Sequence, residues 1–112
     1  MSNFRDGVIR NGSSIGSGSA IGNIRDGIIR SGQSKGSGSA LGNVKDGIIR
    51  NGQSRGSGSS LFNIKDGVVR NGQSKGSGST IGKVSDFQIK GMESESDEDI
   101  VATYHFLIKK IV

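Results

Sequence analysis

The sequence contains no cysteine and no proline. Without cysteine, neither a disulfide framework nor a thiolate metal site can hold the fold together. Without proline, no position is barred from donating to a β-ladder. Aromatic residues are almost as scarce, with no tryptophan, one tyrosine and four phenylalanines in 112 residues. Nucleic-acid grooves that stack bases use more of them. The single histidine, His105, leaves no cluster for a metal and one imidazole as base for the many serines. Met1 is followed by Ser2-Asn3-Phe4-Arg5-Asp6-Gly7, which lacks the apolar run of a signal peptide or a membrane span. The expected location is the cytoplasm, without a membrane partner. No catalytic, cofactor or metal residues are assigned, and the chain is read as not an enzyme.

What is present is glycine, twenty of it, with abundant serine and 30% hydrophobic residues, a composition that taken alone points to low complexity. The spacing of the apolar residues points to a repeat fold instead. The chain lays out in register as Asn3 to Gly22, Asn23 to Gly42, Asn43 to Phe62, Asn63 to Gly82 and Lys83 to Ala102, followed by a remnant, Thr103 to Val112. One domain over residues 1–112 is expected, made of these five units.

Within each of the first four units an Asp-Gly pair stands between two short β-branched runs. Aspartate and glycine both tolerate the positive φ angles of a type I′ turn, so the pair is a strong hairpin signal. With Asp46-Gly47 at the turn, Lys45 opposes Ile48, Val44 opposes Ile49 and Asn43 opposes Arg50, and opposed pairs share a face. The predicted core is therefore Phe4 with Ile9, Ile24 with Ile29, Val44 with Ile49, Ile64 with Val69 and Val84 with Ile89. The other face carries the Asn and Arg slots, and the Gly-Ser stretches between hairpins read as flexible, polar loops.

The recurring Ile-Gly-Asn-Ile-Arg-Asp-Gly-Ile-Ile-Arg unit, its five Asp slots and the divergent apolar C-terminus resemble the five-fold β-flower proteins of bacteria. That resemblance implies an all-β fold, a closed pseudo-five-fold ring of antiparallel β-hairpins, in a family without an assigned biochemical role. It brings no catalytic residues. The competing architecture is a β-solenoid of stacked parallel coils. In the ring, the segment 100–112 is the closing strand, because Val101 and Tyr104 fall in the slots of Ile81 and Val84. The same segment also has helical spacing at Ile100, Tyr104, Leu107, Ile108 and Ile111, with acids before it and lysines after it. The strand reading is preferred. Phe62, which replaces the glycine of Gly22, Gly42 and Gly82, would plug the axis if that slot lies there.

Charge is the most suggestive feature. Up to Met92 there are thirteen Lys or Arg residues against five aspartates, whereas Glu93 to Asp99 hold five acids and no base. Arg10, Arg30, Arg50, Arg70 and Lys90 recur once per unit and are the candidate anion-binding residues. Arg5, Arg25, Lys45 and Lys65 form a second series, and Lys35, Arg55 and Lys75 a third. Such an array raises the local potential and suits an anionic ligand or polyanion. The function expected from the sequence is a non-catalytic scaffold or interaction module, with anion binding as the alternative and homo-oligomerisation as a further expectation.

Overall fold

The computed structural model describes residues 2–111. Nine strands follow one another in space in chain order: β1 (Ser2–Arg5), β2 (Val8–Asn11), β3 (Ser19–Arg25), β4 (Ile28–Arg30), β5 (Ala40–Lys45), β6 (Ile48–Asn51), β7 (Ser59–Lys65), β8 (Val68–Asn71) and β9 (Ser79–Lys83). Every neighbouring pair is antiparallel, with Val44 opposite Ile49 and Asn43 opposite Arg50. This pairing removes the solenoid alternative. The turns are of the expected kind: Asp6, Asp26, Asp46 and Asp66 have φ of 52–53°, and Gly7, Gly27, Gly47 and Gly67 have φ of 75–82°.

The fifth unit departs from the pattern. Its turn glycine is replaced by Phe87, a residue that the left-handed region excludes. Residues Val84–Phe87 form a 3-10 turn instead. The Asp86 carboxylate accepts from the Lys83 N–H at 3.0 Å, and the Gln88 amide donates to the Val84 carbonyl at 3.1 Å.

All ten predicted core residues are buried, and Phe62, Met92, Ile100, Val101 and Ala102 join them in one cluster. The last three belong to α1 (Asp97–Thr103), which continues as a π-helical segment, Tyr104–Ile108. The expected closing strand at 100–112 is therefore corrected to a helical segment as far as Ile108, with irregular chain at Lys109–Ile111; Val112 lies outside the described residues. Four consecutive α1 residues, Ile100 to Thr103, are buried, so the helix is enclosed on all sides. The sheet curls around it. A helix satisfies its own backbone groups, whereas a strand would have to leave this enclosed position to reach the open edges of β1 or β9.

The sheet is not closed by a ladder. β1 and β9 are not paired with each other, and the two ends meet at one parallel bridge between Asn3 and Lys90. There the Phe4 N–H donates to the Lys90 carbonyl at 2.7 Å.

Each of the other junctions between hairpins carries a β-bulge. In β2 and β3, Ile9 opposes Gly22 and Arg10 opposes Ala20, so Ile21 is left over; Leu41, Leu61 and Ile81 are left over in the same way. All four pack against the core. The neighbouring glycine slot faces the helical segment. A methyl group built on Gly22 would lie 2.6 Å from Leu107 Cδ1, and one on Gly42 would lie 2.7 Å from Phe106 Cε1. At the third such slot Phe62 fills the space itself and meets His105.

Candidate anion-binding surface

The loops that read as flexible linkers are pinned. Asn3, Asn23, Asn43 and Asn63 are fully buried, although the sequence placed them on an open face. The Asn43 amide donates to the Gly52 carbonyl at 3.1 Å and the Ser57 carbonyl at 3.1 Å, while its oxygen accepts from the Gly56 N–H at 2.8 Å. Asn3, Asn23 and Asn63 make the same three bonds in their own units. A second clamp lies further out, where the Ser17, Ser37, Ser57 and Ser77 hydroxyls each donate to a serine carbonyl three residues back at 2.6 Å. In the fifth unit Lys83 stands in the Asn slot, and the loop that follows it is the acidic one.

The pinned loops decide where the cations lie. Arg10, Arg30, Arg50 and Arg70 are half-buried in equivalent places on successive hairpins. Arg10 lines a shallow groove with Arg5, Asp6, Val8 and Gly16. One guanidinium nitrogen of Arg50, Nη1, is buried with no hydrogen-bond partner. Lys90 is exposed, and its ammonium donates to the Ser13 carbonyl at 2.9 Å.

The other two series come together. Arg5, Arg25, Lys45, Lys65, Lys35, Arg55 and Lys75 are all exposed, and each lays its stem along a glycine. Arg5, Arg25, Lys45 and Lys65 lie over Gly16, Gly36, Gly56 and Gly76 of their own loops. Lys35, Arg55 and Lys75 reach back to the turns of the preceding hairpins at Gly7, Gly27 and Gly47. The two series thus interleave as one belt around the turn end: Arg5, Lys35, Arg25, Arg55, Lys45, Lys75 and Lys65. At Gly27 and Gly47 a side chain would first meet backbone, 2.9 Å from the Val44 and Ile64 carbonyls, and then the belt. A built methyl would lie 3.2 Å from Arg55 Nε and 3.0 Å from Lys75 Cε. Arg55 is further fixed by donating from Nε to the Val44 carbonyl at 3.1 Å. The sequence showed both series but not that bound loops would bring them side by side.

Among the described residues two ion pairs occur, Arg5 with Asp6 and Arg25 with Asp26, each at 3.7 Å and well exposed. Pairs of this kind are worth about 0–1 kcal/mol, so they leave the belt's cations available. The acidic segment reaches the same end of the molecule. Asp97 and Glu98 share a cleft of about 340 Å³ with Lys65, Asp66 and Lys75. Glu95 and Asp99 share a second, of about 600 Å³, with Asp6, Asp26, Arg25 and Lys35. Burial pushes the Asp99 carboxyl up from the usual aspartate range, against the hydrogen bond with Ser96 that lowers it.

His105 is placed away from this surface. It is 3% exposed, and its Nδ1 accepts the Ile111 N–H at 3.1 Å. Burial, with Lys110 as a lesser cause, pulls its pKa below the ordinary histidine value. Among the described residues no group of His, Asp or Glu is arranged to hold a metal ion, and no helix is long and apolar enough to cross a membrane.

These features define an all-β repeat protein: successive hairpins with type I′ turns, asparagine-pinned loops and an antiparallel sheet wrapped on a helix. The chain belongs to the family described as 6-fold beta flower protein, which matches residues 1–108. The β-flower resemblance read from the repeats is thereby supported, while the five-fold description is not. No curated protein and no solved structure matches the chain.

Proposed function

We propose that this β-flower protein is a non-catalytic binding module that captures anionic polymers on the belt of seven cations at its turn end. The observation that carries this reading is the seating of every belt stem on a glycine. A lysine or arginine normally loses rotamer freedom when it binds, on the order of 0.5–1.5 kcal/mol per immobilised side chain. Stems already laid along the loops and turns lose less. The belt is also dense, with two cations for most repeats, so a chain of sulfates or phosphates running around the rim meets successive charges and releases counterions. Arg10, Arg30, Arg50 and Arg70, half-buried further along the hairpins, add to the positive charge of the same molecule without joining the belt.

The non-catalytic part of the reading is supported by His105, whose imidazole is enclosed and whose Nδ1 is occupied by the Ile111 N–H. The scarcity of exposed aromatics favours recognition of backbone charge over base stacking.

Retention on heparin resin at physiological salt tests the proposal. The wild-type protein is expected to be retained, and Lys45→Gln, Lys65→Gln and Lys75→Gln together are expected to elute earlier. The charge-matched set Lys83→Gln, Lys109→Gln and Lys110→Gln lies off the belt and is expected to elute near wild type. Flow-through of the wild-type protein would leave a scaffold without affinity for polyanions as the better reading.

A further inference from the structure

The belt has an opposing element in its own chain. Residues Glu93 to Asp99 lie in the second half of the fifth unit, line clefts at the turn end and lead into the first turn of α1. Their path is fixed at both ends. Met92 is fully buried and its carbonyl accepts from the Glu95 N–H at 2.9 Å, while the Ser96 hydroxyl accepts from the Asp99 N–H at 3.3 Å. A segment held in this way brings Asp97 and Glu98 into one cleft with Lys65 and Lys75, and Glu95 and Asp99 into another with Arg25 and Lys35.

The carboxylates do not form direct ion pairs with those cations, since the pairs among the described residues are Arg5 with Asp6 and Arg25 with Asp26. They stand across the clefts, within reach of the field but short of touching. Carboxylates lining the same clefts lower the potential felt there by an incoming anion, an effect that salt screens over a Debye length of about 8 Å at physiological ionic strength. They leave the ammonium groups free to donate. The third cation series ends at Lys75, its next slot in the sequence being Glu95, and nothing lies within 4 Å of a side chain built on Gly67, so no stem is seated on that turn. The fifth unit thus seats no cation on the Gly67 turn, and its Glu95 lies instead in the cleft with Arg25 and Lys35.

We propose that the acidic strap Glu93–Asp99 is an intramolecular competitor for the cation belt, setting its affinity for polyanions by screening the Lys65–Lys75 and Arg25–Lys35 clefts. This rests on the belt being the binding surface. A strap of this kind makes binding graded: a short or sparsely charged anion meets a partly neutralised rim, whereas a long, dense polyanion outweighs the strap and gains the whole belt. Selectivity for charge density follows from the placement of four carboxylates.

The test compares heparin elution of the full-length protein carrying Asp97→Asn with Glu98→Gln against Asp46→Asn with Asp86→Asn, which removes the same charge outside the strap and both clefts. Both sets keep polar side chains, and asparagine tolerates the left-handed turn at position 46. The cleft pair is expected to raise affinity a few-fold more than the control pair. In a protein that also carries Lys65→Gln and Lys75→Gln, the added effect of the cleft pair is expected to vanish. Equal gains from the two charge-matched pairs, or a cleft effect that persists without Lys65 and Lys75, would overturn the strap. A failure of the belt itself shows separately, as unchanged elution when Lys45, Lys65 and Lys75 are neutralised with the strap intact. Circular dichroism of each variant excludes loss of α1 as the cause of a shift.

Discussion

The ring of Phe62 meets the imidazole of His105 edge-on, with centroids 5.2 Å apart and planes at 67°. At the equivalent slots of the two preceding repeats the partners are exchanged in size: glycine on the strand, Leu107 or Phe106 on the helical segment. The sheet and the helix are fitted knob to hole, and one slot is filled from the strand side because the helix offers a smaller ring there.

Two substitutions test that fit. Phe62→Ala is expected to cost about 3–5 kcal/mol by leaving a cavity under His105. Gly42→Leu is expected to cost about 1–3 kcal/mol or more by driving into Phe106. Urea unfolding reads both, and a neutral result at either position would show that the helix does not occupy the glycine slots.

Much of this was legible in the sequence, for a physical reason. Type I′ turns and strand pairing are local, so Asp46-Gly47 and its neighbours specify them within a few residues, and the core pairs follow from the period of two. The C-terminal helix was not legible in the same way. Ile100, Tyr104, Leu107 and Ile108 suit a helix, yet Val101 and Tyr104 also keep the repeat register. What decides between them is the enclosed site, where only a self-bonded backbone is satisfied, and that site exists only once the sheet has curled. The buried asparagines were hidden for a related reason. Asn43 on a hairpin face looks solvent-facing until the loop nine to fourteen residues later folds over it.

Asn43→Ala removes three hydrogen bonds made to one loop. A destabilisation of about 1–3 kcal/mol is expected, with faster proteolysis of the Gly52–Gly58 loop and little change elsewhere. Because the loop carries Arg55, polyanion affinity should also fall. Lys83→Asn, by contrast, should bring no loop order to the fifth unit, since its following residues lack the Gly-Ser pattern. Amide exchange at Gly56 is the direct reading for Asn43→Ala, and amide exchange across Gly91–Ser96 is the reading for Lys83→Asn.

Gly47 has φ of 77° and lies beneath Lys75. Gly47→Ala is expected to cost about 1–2 kcal/mol from the left-handed backbone, and more because its methyl would lie 2.9 Å from the Ile64 carbonyl, while also displacing the Lys75 stem. Gly67 has φ of 75° but open space around it, so Gly67→Ala should carry the backbone cost alone. Comparing heparin elution of the two variants, with Lys75→Gln alone as the reference for the stem, separates the stem's contribution from that of the crowded turn. Equal elution would argue against glycine seating of the belt.

His105 has a lowered pKa in the fold because burial disfavours its cation. The fold therefore gains from the neutral imidazole above the unfolded value, near 6.5, and that gain is lost as pH falls through it toward the folded value. Protonation also removes the acceptor for the Ile111 N–H. Thermal stability is expected to fall between about pH 7.5 and 5 more steeply than in His105→Asn, which keeps an acceptor without the titration. Parallel pH profiles for the two proteins would show that His105 does not couple to folding.

The most direct measurement of the belt is the salt dependence of binding to a short fluorescent DNA duplex, used as a polyanion of known charge spacing. The logarithm of the binding constant should fall linearly with the logarithm of the KCl concentration. With Lys45, Lys65 and Lys75 changed to Gln, the slope should be shallower by about 2–3, roughly 0.9 for each phosphate that is no longer neutralised. The off-belt set at Lys83, Lys109 and Lys110 should keep the wild-type slope. Equal slopes in the wild-type and belt variants, or binding by the wild-type protein that does not respond to salt, would contradict the cation belt as the functional surface.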